Sequence, residues 1–282
     1  MTKHIPVLLN AVMHELGDLT GRTVLDATFG AGGYTRAFLN AGANVVAFDR
    51  DPNVVGDAED ISKEFGNRFR FIAKPFSAMA DLDEQFDAIV FDLGISSMQI
   101  DVAERGFSFR ADAPLDMRMS GVGVSAADLI EQLTETELAK ILRDYGDLKK
   151  ANILARAIKD AKPKTTFELR NLIYTPRNVA PVFQALRIAV NDELGEVERA
   201  LAAVPNLLKK NGKCLVVTFH SLEDRLVKNV FRNWTTVPGN PLVPVAADAQ
   251  FKLLHTSTPT ETELENNPRA RSAHCRGVQK SY

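Results

Sequence analysis

The sequence predicts an α/β fold, a doubly wound sheet interrupted by an all-helical insertion. Three observations carry this. Short apolar runs alternate with helical spacing over roughly the first hundred residues, the pattern that builds a parallel sheet. Helices alone then occupy the middle of the chain. A buried strand returns only after a long helix near its end.

The first strand, over 23–27, is Thr23-Val24-Leu25-Asp26-Ala27, and it runs into Thr28-Phe29-Gly30-Ala31-Gly32-Gly33. A helix over 34–39 follows and ends by Gly42. The second strand, over 44–48, closes at Asp49. Pro52 suits the first turn of the next helix, where its missing amide would have no partner anyway. Strands over 69–72 and 86–91 come next, the latter ending at Asp92. Helical spacing then recurs over 126–133, 136–145 and 149–159, for instance at Leu138, Ile141, Leu142 and Tyr145. Pro163 interrupts it, and 166–172 resumes it. One long helix is expected over 183–208, with Phe183, Leu186, Val190, Leu194, Val197 and Leu201 apolar, before a last buried strand over 213–219. The expected division is a sheet domain from residues 1–103 and 183–282, with the helical insertion at 104–182.

Composition narrows the function classes. At 282 residues, 45% hydrophobic and 25% charged, the chain resembles an ordinary globular protein with a sizeable core. Two cysteines, Cys214 and Cys275, are too few for a disulfide framework and suit a reducing compartment. No apolar run is long enough to cross a bilayer, and no signal peptide opens the sequence. The five histidines have no metal-ligand spacing, so no metal is expected. The net charge of -2 hides an asymmetry: residues 140–187 hold 11 Lys and Arg against 4 Asp and Glu. The segment 266–282 carries Arg269, Arg271, Arg276 and Lys280 with no acid. Such segments form phosphate-binding surfaces or solvated helix faces, and charge alone does not choose between them.

The strand ends give the candidate site. In doubly wound sheets ligands bind beyond the carboxyl ends of the strands, where strand order reverses. The loop Gly30-Ala31-Gly32-Gly33 allows close backbone approach to a ligand. Asp49 is placed to accept from two ribose hydroxyls, and Asp92 opens the turn Leu93-Gly94-Ile95-Ser96-Ser97. A dinucleotide fingerprint needs a glycine where Thr35 stands. An acid, Asp26, heads the pattern and suits a cationic ligand such as S-adenosylmethionine better than a diphosphate. The alternatives are local capping for Asp26 and Asp49 and a turn role for Asp92, although Asp51 already fills the cap ahead of Pro52.

Beyond these residues, ordered matches over nearly the whole chain resemble one family, the MraW methyltransferases, which modify the N4 amine of a cytidine in small-subunit ribosomal RNA. The matching segments begin with His4-Ile5-Pro6-Val7-Leu8-Leu9 and Asp26 through Gly33, then Asp49-Arg50-Asp51-Pro52. They continue with Asp92-Leu93-Gly94-Ile95-Ser96-Ser97-Met98-Gln99, Glu104-Arg105-Gly106-Phe107-Ser108-Phe109 and Pro114-Leu115-Asp116-Met117-Arg118-Met119. The last are Phe183-Gln184-Ala185-Leu186-Arg187-Ile188, Phe219-His220-Ser221-Leu222-Glu223-Asp224-Arg225 and Asn267-Pro268-Arg269-Ala270-Arg271-Ser272. The resemblance implies a Rossmann-like methyltransferase sheet, S-adenosylmethionine as cofactor, and cofactor contacts at Gly32, Gly33, Tyr34, Asp49, Phe76, Asp92 and Gln99. The sequence departs from the family pattern at Tyr34, where histidine is usual, and at Pro181-Val182, where a Thr-Arg pair is usual.

The chemistry implied is in-line methyl transfer, in which positioning and exclusion of water supply much of the rate. Asp92, or carbonyls of residues 93–96, would accept a hydrogen bond from the attacking amine. The base must leave its stack, and Phe107 and Phe109 are candidate stacking partners, with a core role as the alternative. Arg105, Arg118 and Arg187 either bind phosphate or pair with Glu104, Asp116 and Asp192. His220-Ser221 is no hydrolase signature: Ser221 with Asp224 reads as a capping box. The basic tail from Arg269 to Lys280 packs as a final strand or touches RNA. The expected partner is small-subunit ribosomal RNA or the assembled small subunit, with no membrane; a dimer is compatible with the sequence. The expected compartment is the cytoplasm, with the mitochondrial matrix as alternative. A rival function is an assembly factor that binds RNA without methylating it.

Overall fold

The computed structural model describes residues 6–236 and 249–282. His4 and Ile5 of the first matching segment lie outside the described residues. In chain order the elements begin with α1 (Leu9–Leu16), β1 (Thr23–Asp26), α2 (Gly33–Asn40), β2 (Asn44–Phe48), α3 (Val55–Phe65), β3 (Phe69–Ile72) and β4 (Phe86–Asp92). Six helices follow: α4 (Ser97–Asp101), α5 (Ala126–Gln132), α6 (Glu135–Gly146), α7 (Ala151–Ala161), α8 (Thr166–Asn171) and α9 (Val179–Asn191). The chain ends with α10 (Glu193–Leu207), β5 (Leu208–Thr218), α11 (Ser221–Thr235), β6 (Phe251–Leu253), α12 (Glu261–Asn266) and β7 (His274–Lys280). Among the described residues no helix is long and apolar enough to cross a membrane.

Contacts divide the chain into a sheet unit, Met1–Gly94 with Glu196–Tyr282, and a helical unit, Ile95–Gly195. In the sheet unit the strand order is β3-β2-β1-β4-β5-β7-β6. Strands β1 to β5 run parallel, and β7 is antiparallel to both β5 and β6. Central strands buried on both faces read as continuous apolar runs rather than alternations, which is why Val24-Leu25 and Ala88-Ile89-Val90-Phe91 are apolar throughout. One face carries Leu25, Val46, Phe48, Ile89, Phe91 and Val216, packed with Val197, Leu201 and Val204 of α10 and Val227 and Phe231 of α11. Strand order reverses between β2-β1 and β1-β4. Asp26 pairs with Val90 in register, so the carboxyl ends of β1 and β4 meet at this switch point.

The helical unit has a core of its own, including Ile130, Leu138, Leu142, Ala155, Ile158, Leu169, Val182 and Leu186. Four of its helices open on reciprocal capping boxes, Ser96 with Gln99, Ser125 with Asp128, Thr134 with Glu137 and Thr165 with Glu168. Each satisfies two amide groups that a helix start leaves without partners. The unit is wider than the 104–182 read from the sequence. Ile95 packs against its core, and α9 supplies Val182, Phe183, Ala185 and Leu186 to it, so both flanks belong with the helices.

The single helix expected over 183–208 is two helices. Asp192 adopts left-handed angles (φ 49°, ψ 41°) and ends α9, its N–H bonding Ile188 O. Its carboxylate then lies against Gly195 at the third position of α10, where an acid preceding a helix belongs. One left-handed residue leaves the apolar spacing of Val190, Leu194 and Val197 undisturbed, so periodicity does not reveal the break. The last strand also starts earlier than 213: Leu208 already pairs with Phe86, with an irregularity in register before Ala88.

Candidate active site

Two buried acids end neighbouring strands. Asp26 is fully buried; its Oδ2 accepts from the Thr35 hydroxyl (2.7 Å) and its Oδ1 from Thr28 N–H (3.2 Å). Burial pushes its carboxyl up to about 6, with nearby Asp49 adding to the rise and the Thr35 and Thr28 bonds opposing it. On β4, Asp92 N–H donates to Thr28 Oγ1 (2.7 Å), so Thr28 ties the two strand ends together. Asp92 Oδ1 is buried and makes no hydrogen bond. Burial raises the Asp92 carboxyl well above the usual carboxylate range, reinforced by the charges of Asp26 and Glu223. An orphaned buried carboxylate oxygen is costly and calls for a partner. Two carboxyls raised by burial suit a ligand that brings positive charge, because such a ligand favours their ionised form.

Asp49 ends β2 beside them. Its Oδ2 accepts from Gly30 N–H (2.8 Å) and its Oδ1 from Asp51 N–H (2.9 Å). A carboxylate offers about four lone-pair directions, so two stay open for hydroxyl donors. Burial raises this carboxyl too. Asp51 takes the capping role, accepting from Asn53 N–H (3.0 Å), which leaves Asp49 free of it.

The glycine loop is needed for packing more than for ligand approach. Gly32 has φ 74°, and a Cβ there would press on Ile61 and on the Phe29 ring. A Cβ on Gly33 would fall on the Pro6 ring. Only Gly30 faces open space, and its conformation (φ 54°) explains the glycine. The Tyr34 side chain is 3% exposed; its hydroxyl donates to Val7 O, and its ring packs against Phe38. The Tyr34 ring and hydroxyl are therefore taken up by internal contacts. Phe76 follows β3, in the short turn Phe76–Asp81, and meets Phe91 edge-on at 5.9 Å. A cavity of about 570 Å³ between residues 80–85 and α10 contains none of these residues.

The other expected residues belong to the helical unit. Gln99 is buried and closes the capping box of α4, its Oε1 accepting from Ser96 N–H (3.1 Å). Phe107 is 7% exposed within the core, and Phe109 packs edge-on against Phe183 at 5.3 Å. Arg105 donates to the carbonyls of Arg118 (3.0 Å) and Met119 (2.8 Å) rather than pairing simply with Glu104. Arg118 forms a two-pronged pair with Asp116 (2.8 and 2.6 Å), the pairing alternative of its two readings. Arg187 forms a two-pronged pair with Glu193 (2.8 and 2.9 Å), and the Asp192 carboxylate lies against Gly195 at the start of α10. Each arginine is thus held by its own unit.

A model of the MraW methylase family matches residues 1–281 of this chain. The chain belongs to that family. It is a methyltransferase, and its methyl donor is S-adenosylmethionine. The chain is similar to the ribosomal RNA small subunit methyltransferase H of Sinorhizobium fredii, 47% identical over 97% of this chain and 86% of that protein. The protein of that name from Rickettsia canadensis is 42% identical, with 99% and 98% covered. Among solved structures, an rRNA methylase from Streptococcus thermophilus aligns over 100% of this chain and 99% of its own, with 12% identity and a TM-score of 0.48. Magnesium protoporphyrin IX methyltransferase from Synechocystis, solved with bound SAM, aligns over 97% and 78%, with 12% identity and a TM-score of 0.42.

Two residues beside the strand-end acids lie in matched segments without a role having been read for them. Thr28 was legible only as part of the glycine segment, yet it bridges Asp26 and Asp92. Glu223 is 2% exposed and accepts from Phe219 N–H (2.8 Å) and His220 N–H (3.3 Å). The capping box of α11 is consequently His220 with Glu223, one residue before the expected Ser221 and Asp224. Asp224 instead holds Arg276 of β7 at 2.6 and 2.9 Å, and the basic tail from His274 onward is a strand.

Proposed function

We propose that this methyltransferase transfers a methyl group from S-adenosylmethionine to the N4 amine of a cytidine in small-subunit ribosomal RNA. The observation that carries the reading is the orphaned Asp92 Oδ1 beside Asp26 at the sheet's switch point. Support for the substrate comes from relatives named as small-subunit ribosomal RNA methyltransferases at 42–47% identity. When bound, the cofactor supplies an electrophilic methyl group on a sulfonium whose departure leaves a neutral thioether.

The residues fit such a group. Asp49 accepts from the ribose hydroxyls with its two open lone-pair directions. The backbone of Gly32, Gly33 and Tyr34 borders the donor, and Phe76 flanks it. Asp92 accepts from the cytosine N–H. That lone pair is delocalised into the ring, and an acceptor on the amine localises it as the new bond develops. The proton becomes acidic only then, so Asp92 need not be a strong base beforehand. Burial of the strand ends excludes water from the reacting atoms. Arg105, Phe107, Phe109, Arg118 and Arg187 shape the RNA-binding unit from within, through the contacts described above.

The test is transfer of labelled methyl to isolated ribosomal subunits, followed by nucleoside analysis. The expected product is N4-methylated cytidine in small subunits, with turnover reduced about 100-fold or more in Asp92→Ala. Tight cofactor binding without transfer to either subunit would point to a different substrate and contradict the cytidine assignment.

A further inference from the structure

The α8–α9 connection of the helical unit exposes residues that its packing does not use. Tyr174 is 95% exposed and has no ring partner among the described residues, an unusual position for a large aromatic. Three residues on, Arg177 is exposed and makes no ion pair among the described residues. Just before it in the chain, Arg170 lies 3.8 Å over the Phe167 ring while donating to Phe109 O (3.2 Å). Asp112 faces it, and its carboxyl is lowered first by hydrogen bonds from Thr165 and Phe167 and further by the Arg170 charge, so Arg170 is compensated within its own unit.

A second segment comes to the same end of α9. Gln184 Nε2 donates to Tyr145 O (3.2 Å), and a Cβ on Gly146 would lie 2.9 Å from Pro181 O. The α6–α7 turn is therefore seated on the first turns of α9, directly after the connection that carries Tyr174 and Arg177. That turn exposes Lys149 and Lys150, and Ile153 follows at 69% exposure. Asp144 and Asp147 share the turn, but neither pairs with a lysine among the described residues. Lys149, Lys150 and Arg177 against Asp144 and Asp147 leave this end positive.

An exposed aromatic flanked by cations that no acid neutralises is the chemistry that holds an unpaired nucleic-acid strand. Bases stack on the ring while the phosphates meet the cations. We propose that Tyr174, Arg177, Lys149 and Lys150 form a docking surface for a single-stranded RNA segment flanking the methylated nucleotide. The surface rests on the RNA reading given above and adds to it where the strand is held. None of the four residues belongs to the cofactor machinery.

The test measures binding of a short fluorescein-labelled single-stranded RNA, and of the same RNA annealed to its complement, to the full-length protein. Cofactor binding by each variant serves as the check on folding. Tyr174→Ala is expected to weaken single-strand binding about tenfold, with little effect on the duplex. Lys149→Gln with Lys150→Gln and Arg177→Gln is expected to flatten the salt dependence by about 0.7 in logarithmic slope per cation removed. In methyl transfer the variants should raise KM and leave kcat unchanged. Variants that bind cofactor and keep wild-type affinity, slope and KM would overturn the docking surface alone. Equal loss on single strand and duplex from Tyr174→Ala would overturn the stacking role. A wild-type protein that binds no RNA would remove the RNA reading itself.

Discussion

Thr28 and Asp26 carry much of the site although neither faces outward. Thr28→Val removes the acceptor of Asp92 N–H, and a buried donor left unpaired costs about 1–3 kcal/mol. Cofactor affinity should fall about tenfold in this variant and be restored in Thr28→Ser, as read by calorimetric titration. Asp26 makes a pH prediction. Its carboxyl rises from 3.8 to about 6 on folding, so it favours the folded state fully only while protonated. That contribution fades as pH climbs through both values and amounts to at most ~3 kcal/mol. Asp26→Asn cannot ionise, so its stability relative to the parent should rise between about pH 4 and pH 7 in denaturant unfolding. A constant difference across that range would contradict the assignment. Sequence made Asp26, Asp49 and Asp92 legible, because acids at strand ends are conspicuous. Thr28 was not, since its hydroxyl matters only once β1 and β4 lie side by side. The glycines were noticed for ligand approach, while Gly32 and Gly33 are required by Ile61, Phe29 and Pro6, contacts that no local pattern announces.

At the scale of elements, α11 separates two capping schemes. Glu223→Ala leaves the N–H groups of Phe219 and His220 without their acceptor in a buried setting and should destabilise the protein by about 1–3 kcal/mol. Asp224→Ala breaks only a half-exposed pair with Arg276 and should cost less than about 1 kcal/mol. Chemical denaturation of both variants checks the order, and a reversal would restore the Ser221–Asp224 box. The strands over 44–48 and 69–72 were readable to the residue because both ends carry a turn or an acid. The helices over 126–133 and 166–172 were readable from their helical spacing, while the Ser125 and Thr165 caps emerge only in the structure. The break at Asp192 was hidden because one left-handed residue does not disturb an apolar repeat. Strand β6 is three residues long and takes its place only by pairing with β7, so no local pattern marks it.

For the whole molecule, family membership and the switch-point acids make one account. A parallel sheet brings three carboxylates to the ends of β1, β2 and β4, burial shifts each toward its neutral form, and a sulfonium cofactor supplies the opposing charge. Binding a cation favours the ionised acids, so it should release protons, and affinity should rise with pH through the range in which the unliganded acids titrate. The measurement that tests this most directly is calorimetric titration with S-adenosylmethionine in two buffers of different ionisation enthalpy, repeated with Asp92→Asn and with uncharged-sulfur S-adenosylhomocysteine. The account predicts proton release with S-adenosylmethionine that is reduced in the variant and with the thioether. Binding that releases no proton, and that is equally tight at every pH in parent and variant, would contradict it.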